Sequence, residues 1–283
     1  MVSQSIFVKS QKKYYDAMFT QESYRARLAS QSEMLLPILR ALNWVKSKAL
    51  TKAKVLDVGC GTGSFLNLIQ DKISDTWQYS GIDISEVAIA QGKSLFPDLK
   101  LALDDGSKTK YESNSFDMIV SYGSLEHFYN PGETIKEIAR ILKPKGYFFL
   151  MMSGVNKMKD DNDKIGEITV PPHTSNQTQM YLRRPDGNPA QIEINNLQHV
   201  LKKGFGSVSN HLIEIDSINI EHERVHNHLN SNEGWDRTGQ PQWNLNRSTW
   251  YSYLNKYGLG LWNESTIAQF KPRHIHPFFF GEK

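Results

Sequence analysis

The feature that most constrains the fold of this chain is an apolar run that ends in alternating glycines. It reads Val55-Leu56-Asp57-Val58-Gly59-Cys60-Gly61-Thr62-Gly63. Apolar residues around a single acid predict a buried parallel strand, and the glycines predict a tight turn after it. Glycine is needed where the backbone takes a positive φ or approaches a ligand closely. Phe65, Leu68 and Ile69 then follow at helical spacing, with Ser64 as the expected N-cap.

The spacing of these glycines separates the turn from two other ligand-binding turns. The dinucleotide fingerprint G-x-G-x-x-G requires glycine at position 64, where Ser64 stands, and the Gly-Lys-Ser/Thr of a P-loop is absent. The pattern D-x-G-x-G-x-G instead resembles motif I of the class I S-adenosylmethionine-dependent methyltransferases. This resemblance implies that Asp57 meets the α-ammonium of the cofactor, directly or through water. It also implies that Gly59, Gly61 and Gly63 let the backbone close on the methionine and ribose parts.

A second predicted strand, 78–83, ends in an acid. Asp83 lies 20 residues after Gly63, the spacing at which an acid reaches the ribose hydroxyls of a nucleotide-like ligand. The alternative role for Asp83 is a helix N-cap, but Ser85 can fill that role and leave Asp83 available. We therefore expect Asp83, with the neighbouring Ile84, in the cofactor site.

A third predicted strand, 99–103, is followed by Asp104, Asp105 and Gly106. In the family that this chain resembles, an acid at this place binds the adenine amino group, and the next backbone N–H binds a ring nitrogen. Counting back from Phe116 favours Asp105 over Asp104 for that role. A solvated Asp-Gly turn is the alternative for one of the two acids.

The fourth predicted strand, 116–121, leads into a second family pattern. The segment from Phe116 to His127 reads F-D-x-I-V-x-x-x-x-L-E-H, which resembles motif IV of many small-molecule methyltransferases. The resemblance implies that Ser121 and Leu125 line the cofactor site. His127 is the candidate catalytic residue, because a neutral imidazole at the carboxyl edge of the sheet can accept a proton from a hydroxyl group. The alternative is that the L-E-H segment only shapes the loop.

The remaining elements complete the predicted fold. Asn130-Pro131-Gly132-Glu133 is a helix start with a capping box, and strands are expected at 147–151 and 276–280. Strands that alternate with helices predict an α/β fold. We expect a doubly wound, Rossmann-like, seven-stranded sheet, mostly parallel with the last strand antiparallel. Lys145 stands where the family more often has glycine.

The segments outside this frame predict two additions. Residues 1–50 are expected to form an N-terminal helical lid, with Pro37 breaking or starting a helix. In the resembled family a Tyr-Asp pair in the lid lies near the methionine end of the cofactor, which implicates Tyr15; simple packing of this ring is the alternative. Residues 51–283 then form the methyltransferase domain, with acceptor-binding insertions at about 153–190 and 221–272.

Composition limits the function further. A single cysteine rules out an internal disulfide, and a net charge of +3 does not favour a nucleic-acid or membrane partner. No metal site is expected, although His222, His226 and His228 are spaced such that a divalent ion is an alternative. The N-terminal residues lack a secretory pattern, so a cytoplasmic location is expected.

These expectations combine into one reading. We expect a methyltransferase that converts S-adenosyl-L-methionine to S-adenosyl-L-homocysteine while methylating a small-molecule acceptor, most simply at oxygen, in secondary or natural-product metabolism. Small-molecule N- or C-methylation, nucleic-acid methylation and a non-catalytic cofactor-binding subunit are the alternatives. The acceptor and the oligomeric state, with a homodimer as one option, are left open by the sequence.

Overall fold

The computed structural model describes residues 8, 12, 15–17, 19–20, 32–48, 52–128, 130–152, 167–168, 243–244, 247–272 and 278–283. The strands in these residues are β1 (Lys54–Val58), β2 (Gln78–Asp83), β3 (Lys100–Leu103), β4 (Phe116–Tyr122), β5 (Leu142–Met151), β6 (Glu167–Ile168), β7 (Trp243–Asn244), β8 (Gly260–Leu261) and β9 (Phe278–Glu282). The helices are α1 (Ser32–Ser47), α2 (Ser64–Lys72), α3 (Glu86–Leu95), α4 (Pro131–Ile141), α5 (Arg247–Lys256) and α6 (Glu264–Ala268), with a 3₁₀ turn at Leu125–His127.

Seven of these strands form one mixed sheet in the order β3-β2-β1-β4-β5-β9-β8. Strands β1 to β5 are parallel to one another, and β9 is antiparallel to both β5 and β8. The order reverses between β1 and β4, which is the position where open α/β sheets form a ligand-binding crevice. The predicted seven-stranded sheet with an antiparallel last strand is therefore confirmed.

Both faces of the sheet are covered, as a doubly wound fold requires. Consecutive residues of β1 lie on opposite faces of the sheet and in different clusters. Leu56 packs in a cluster with Ile138 of α4 and Trp250 of α5, whereas Val55 packs in a cluster with Leu42 of α1. All five side chains are fully buried. Burial on two faces explains why the central strands are continuous apolar runs in the sequence.

The helix starts were predicted correctly in two cases and wrongly in one. Ser85 Oγ accepts from Ala88 N at 3.1 Å, and Asn130 Oδ1 accepts from Glu133 N at 3.1 Å, so both residues are N-caps. Ser64 is not an N-cap, because α2 begins at Ser64 itself and its cap is Gly63 in the left-handed conformation. The turn uses glycine at this position, so the side-chain cap is lost.

Pro37 was expected to break or start a helix, but it lies inside α1. A proline costs the helix one backbone hydrogen bond. The apolar face of α1 compensates, because Ile38, Ala41, Leu42 and Val45 are all fully buried.

Strand β5 begins earlier than expected, at Leu142, and pairs with Phe116 before a register shift. Within this irregular stretch Lys145 has a φ of 63°, a conformation that glycine adopts at little cost. The backbone N–H of Lys145 donates to the Lys283 carbonyl oxygen at 2.7 Å, which ties the turn to the end of β9. The geometry expected of a glycine is thus kept with a lysine.

Several predictions fall wholly or largely outside the described residues. These are His222, His226 and His228, and the greater part of the two insertions. Among the helices that the structure describes, none has the length and apolar character needed to cross a membrane.

Candidate active site

The glycine turn after β1 is held against the end of β2. Gly59, Gly61 and Gly63 have φ values of 79°, 53° and 81°. The backbone N–H groups of Gly59 and Cys60 donate to the Ile82 carbonyl oxygen at 2.9 and 3.0 Å. A Cβ atom on Gly59 would lie 2.5 Å from Ser124 Cβ, so only glycine fits there. The three glycines therefore meet the conformational need that the sequence predicted.

Ser121 and Ser124 fix the point where β1 enters this turn. Their hydroxyl groups both donate to the Val58 carbonyl oxygen, at 2.8 and 2.9 Å, and they lie 2.7 Å from each other. Ser121 is fully buried. Its hydroxyl group therefore positions the turn, and its expected contact with the cofactor stays a prediction.

Asp57 is a buried carboxylate with one oxygen unsatisfied. The residue is 2% exposed, and its Oδ1 atom has no hydrogen-bond partner among the described residues. Burial raises the pKa of Asp57 well above its usual value, and the charge of Asp83 adds to the increase. A buried, unpaired carboxylate at the edge of a ligand crevice fits a cationic group such as an α-ammonium.

Asp83 is oriented by backbone N–H groups from two loops. Its Oδ2 accepts from Gly61 N at 2.8 Å and its Oδ1 from Ser85 N at 2.9 Å. Burial raises the pKa of Asp83, while the backbone N–H groups of Ser85, Gly61 and Ile84 oppose that increase. Each carboxylate oxygen has a further lone pair, so the group can still accept two ribose hydroxyls. The half-buried Ile84 follows directly.

The two acids after β3 differ in their hydrogen bonding. Both oxygens of Asp104 accept backbone N–H groups, from Asp105 at 3.0 Å and from Lys110 at 3.1 Å. Asp105 Oδ1 accepts from Ser107 N and Oγ, at 2.9 and 2.8 Å. Asp104 thus acts within the turn, which leaves Asp105 as the better candidate for an adenine amino group.

Gly106 closes the same end of the crevice. It is buried, and a Cβ atom on it would lie 2.7 Å from Val58 Cγ1 and 2.8 Å from Phe128 Cε1. The sequence analysis missed Phe128, whose only signal was its place directly after the L-E-H segment.

The Leu125–His127 turn brings the candidate base to the end of β4. Leu125 is fully buried in the core cluster, so its side chain has a packing role, and its expected contact with the cofactor stays a prediction. His127 is 8% exposed, and its backbone N–H donates to the Ser124 carbonyl oxygen at 2.9 Å. Its ring meets the Tyr15 ring edge-on, with 6.2 Å between centroids.

The described residues of the N-terminal segment contact the crevice at three points. Tyr15 meets His127, as stated above. Asp16 Oδ1 accepts from Ser85 Oγ at 2.6 Å, so it lies beside the loop after β2. A Cβ atom on Gly61 would lie 2.8 Å from Cζ of Phe19, so this ring covers the glycine turn. The Tyr-Asp pair placed Asp16 near the cofactor, but nothing in the sequence predicted its bond with Ser85, which joins residues 69 positions apart.

The two insertions meet beside the candidate base. Strands β6 and β7, one from each insertion, pair antiparallel through Glu167 with Asn244 and Ile168 with Trp243. Strand β7 also contacts the 3₁₀ turn at Leu125–His127. The insertions thus reach the carboxyl edge of the sheet.

Strand order, glycine turn and acids at the ends of β1, β2 and β3 together define a class I S-adenosylmethionine-dependent methyltransferase fold. Residues 56–150 match the family model for a methyltransferase domain. Residues 56–150 therefore have the sequence of a methyltransferase domain.

The chain is similar to the demethylmenaquinone methyltransferase of Staphylococcus aureus (strain MRSA252), with 33% identity over 96 residues. That match covers 33% of this chain and 40% of the relative, so the chain spans less than half of the length of this curated relative.

Two solved structures are similar over most of the chain. One is a methyltransferase in complex with the Haloferax volcanii Trm112 activator, with a TM-score of 0.49, 16% identity, and coverage of 86% of this chain and 75% of that one. The other is an S-adenosylmethionine-dependent methyltransferase from Mesorhizobium loti, with a TM-score of 0.47, 13% identity, and coverage of 87% and 96%.

The residues of this chain fit the cofactor that the family implies. The unpaired Asp57 oxygen suits a cation, and the Asp83 carboxylate retains lone pairs for hydroxyl groups. Gly61 contributes no side chain of its own to the crevice, and the Phe19 ring lies against it.

Proposed function

We propose that this chain transfers a methyl group from S-adenosylmethionine to an oxygen atom of a small-molecule acceptor. The observation that carries the proposal is the convergence of Asp57, Asp83, Asp105 and His127 at the carboxyl ends of adjacent strands, since β3, β2, β1 and β4 are neighbours in that order. Three of these residues suit three parts of one nucleoside ligand, and the fourth is a base beside it.

The cofactor would be held along its length by the crevice. Asp57 would meet the α-ammonium, the Asp83 carboxylate the ribose hydroxyls, and Asp105 the adenine amino group, with Gly106 beside the ring. Gly59, Gly61 and Gly63 keep the turn free of side chains, while Ile84 borders the ribose.

His127 would act as the general base. Bound S-adenosylmethionine supplies a methyl group on an already activated sulfonium, so the protein needs only to align the acceptor, exclude water and remove the acceptor's proton. An imidazole nitrogen of His127 takes the hydroxyl proton as the acceptor oxygen becomes methylated, and later releases it to solvent. The edge-on contact with Tyr15 restricts the orientation of the imidazole ring. The near-complete burial of His127 keeps bulk water away from it.

The acceptor would bind between His127 and the two insertions. The pairing of β6 with β7, and the contact of β7 with the turn at Leu125–His127, support this location. We accordingly propose residues 1–50 as a lid and 51–283 as the catalytic domain, with about 153–190 and 221–272 selecting the acceptor. The acceptor is proposed to be neither nucleic acid nor lipid membrane.

The test is transfer of labelled methyl groups from S-adenosylmethionine to a panel of phenols, hydroxy acids, amines and carbon acceptors. A demethylated naphthoquinol belongs in the panel, because the curated relative is a demethylmenaquinone methyltransferase. We expect transfer to a hydroxyl acceptor. We also expect His127→Asn to lower kcat by about 10²–10⁴-fold while binding S-adenosylhomocysteine as the wild type does.

The matched control is Lys136→Gln, an exposed change on α4 that should leave kcat and binding unaltered. Unchanged kcat in His127→Asn would exclude His127 as the base. Binding of S-adenosylhomocysteine with no transfer to any acceptor would favour the non-catalytic alternative. Absence of binding would overturn the cofactor assignment.

A further inference from the structure

One short N-terminal segment touches the ends of three strands. We call its described residues, Lys12, Tyr15–Ala17, Phe19 and Thr20, the strap. Through the strap, Tyr15 meets His127 after β4, Phe19 lies on Gly61 after β1, and Asp16 binds the loop after β2. We propose that Asp16 is a positioning residue that fastens the strap to α3 and thereby sets how tightly and for how long the cofactor is held. This inference rests on the proposed function.

Asp16 acts as an additional cap on α3, contributed from a distant part of the chain. Its Oδ1 accepts from Ser85 Oγ at 2.6 Å and from Val87 N at 3.2 Å. Val87 N–H belongs to the first turn of α3, where backbone donors have no partner within the helix and where the helix dipole favours a negative charge. The carboxylate thus finds donors and a favourable field at the same place.

Lys12 reinforces this contact from the solvent side. Its Nζ atom lies 3.1 Å from Asp16 Oδ2 and 3.2 Å from Glu86 Oε2. The Glu86 side chain is 65% exposed, so this outer pair is open to solvent. Such pairs contribute little, and the bonds from Asp16 to α3 carry the attachment.

The same attachment reaches the carboxylate that we assign to the ribose. Ser85 donates its hydroxyl hydrogen to Asp16 and its backbone N–H to Asp83 Oδ1. Phe19 covers Gly61, whose backbone N–H donates to Asp83 Oδ2. The Ser85 and Gly61 donors to Asp83 therefore both belong to residues that the strap contacts, so the position of the strap and the orientation of Asp83 are coupled.

A second hydrogen bond joins the strap to α3, and it is weaker than those of Asp16 because neither partner is charged. Gln91 Nε2 donates to the Phe19 carbonyl oxygen at 3.0 Å, a bond between neutral groups. Charge-assisted bonds such as those of Asp16 are roughly twice as strong. Because Phe19 covers the glycine turn, the proposal requires the strap to move away when cofactor and product exchange, which would break and re-form the bonds of Asp16.

The expected consequences are specific to binding. In Asp16→Ala the dissociation constant for S-adenosylhomocysteine should rise about tenfold, mainly through faster release, which corresponds to about 1.4 kcal/mol. Asp16→Asn keeps an acceptor oxygen and should show a smaller rise. Lys12→Met removes both ion pairs of Lys12 and should raise the dissociation constant by less than Asp16→Ala does. The matched control is Lys136→Gln, an exposed change on α4, which should bind S-adenosylhomocysteine as the wild type does. With an active acceptor, KM for the cofactor should rise while kcat is kept.

The experiment combines calorimetric binding of S-adenosylhomocysteine to the full chain with hydrogen exchange of the Val87 amide. In the wild type we expect the ligand to slow exchange of the Val87 amide. In Asp16→Ala we expect this amide to exchange faster than in the wild type, both with and without ligand. Equal affinity for S-adenosylhomocysteine and equal exchange of the Val87 amide in the wild type and Asp16→Ala would overturn the proposed role of Asp16. If Asp16→Ala does not fold, the affinity of Asp16→Asn and the effect of ligand on Val87 amide exchange in the wild type test the proposal instead. Lack of binding by the wild type would refute the proposed function. Comparing Val87 amide exchange in the wild type and Asp16→Ala without ligand would still test whether Asp16 fastens the strap to α3.

Discussion

Replacing Asp57 by Asn should stabilise the ligand-free protein and weaken cofactor binding. The wild-type carboxylate is 2% exposed, has an unpaired oxygen, and has its pKa raised by burial and by the charge of Asp83. Below the pKa of the unfolded chain the group is protonated in both states and costs nothing. As pH rises through the raised folded pKa, the ionised form is disfavoured in the fold and stability is lost. Asn keeps the shape of the side chain but does not titrate.

The magnitude follows from the cost of an unsatisfied buried group. That cost is about 1–3 kcal/mol for a neutral group and larger for a charged one, and the Asn amide removes only the part that is due to the charge. If that part is about 1–3 kcal/mol, and a chain of this size gains roughly 2 °C in Tm for each kcal/mol, the variant should melt about 2–6 °C higher at neutral pH. Near pH 4 the difference should shrink. A bond to a charged group is worth about 1.5–3 kcal/mol, so loss of the carboxylate should weaken binding of S-adenosylhomocysteine by about 10–100-fold.

The assay is thermal unfolding against pH, with and without S-adenosylhomocysteine, supported by calorimetry. The matched control is Asp117→Asn on the neighbouring strand. Asp117 accepts from Lys54 N at 2.9 Å and pairs with Lys143 Nζ at 2.7 Å, so this control should lose stability and keep its affinity. Wild-type affinity in Asp57→Asn, or a lower Tm at neutral pH, would refute the reasoning.

Two further changes test the turn and a region away from it. Gly61→Ala places a side chain at a φ of 53° and against the Phe19 ring, so we expect the free energy of unfolding to fall by about 1–2 kcal/mol and ligand binding to weaken. Thermal unfolding and calorimetry measure the two effects. Full recovery of stability on adding Phe19→Ala would show that backbone strain at this φ is negligible. Glu137→Gln should cost about 1–3 kcal/mol in denaturant unfolding, because this carboxylate binds Thr109 and Arg140. Burial raises the pKa of Glu137, but the bonds from Arg140 and Thr109 outweigh it and lower the pKa, so this stabilisation is present above about pH 4.3 and is lost as pH falls through the folded pKa. Equal stability of wild type and variant at neutral pH would contradict this, and ligand affinity should not change.

Much of the fold could be predicted because its signals are local. The apolar run before Gly59 and the acid at Asp83 mark strand ends, and parallel strands bring their carboxyl ends to one edge. The limits of local signals are equally clear. Strand β8 has two residues, too few for any periodicity, and Pro37 lies in a helix that its buried face sustains.

The same limits apply to the candidate site. The residue types at the carboxyl ends of the strands were predictable from spacing, as with Asp57 and Asp105. The hydrogen-bond and packing partners of the side chains at these positions could not be predicted from spacing. Ser121 and Leu125 occupy expected positions, yet the first bonds the Val58 carbonyl oxygen and the second is buried in the core.

By itself, the sequence determined that the chain forms a doubly wound, mostly parallel sheet, because this depends on short-range patterns and on the chirality of parallel crossovers. It also predicted the class of ligand and the edge of the sheet where that ligand would bind. Only the tertiary structure decided which side chains are used and what covers them. The bond from Ser85 to Asp16 spans 69 positions, and such contacts depend on how separate elements pack rather than on any local pattern.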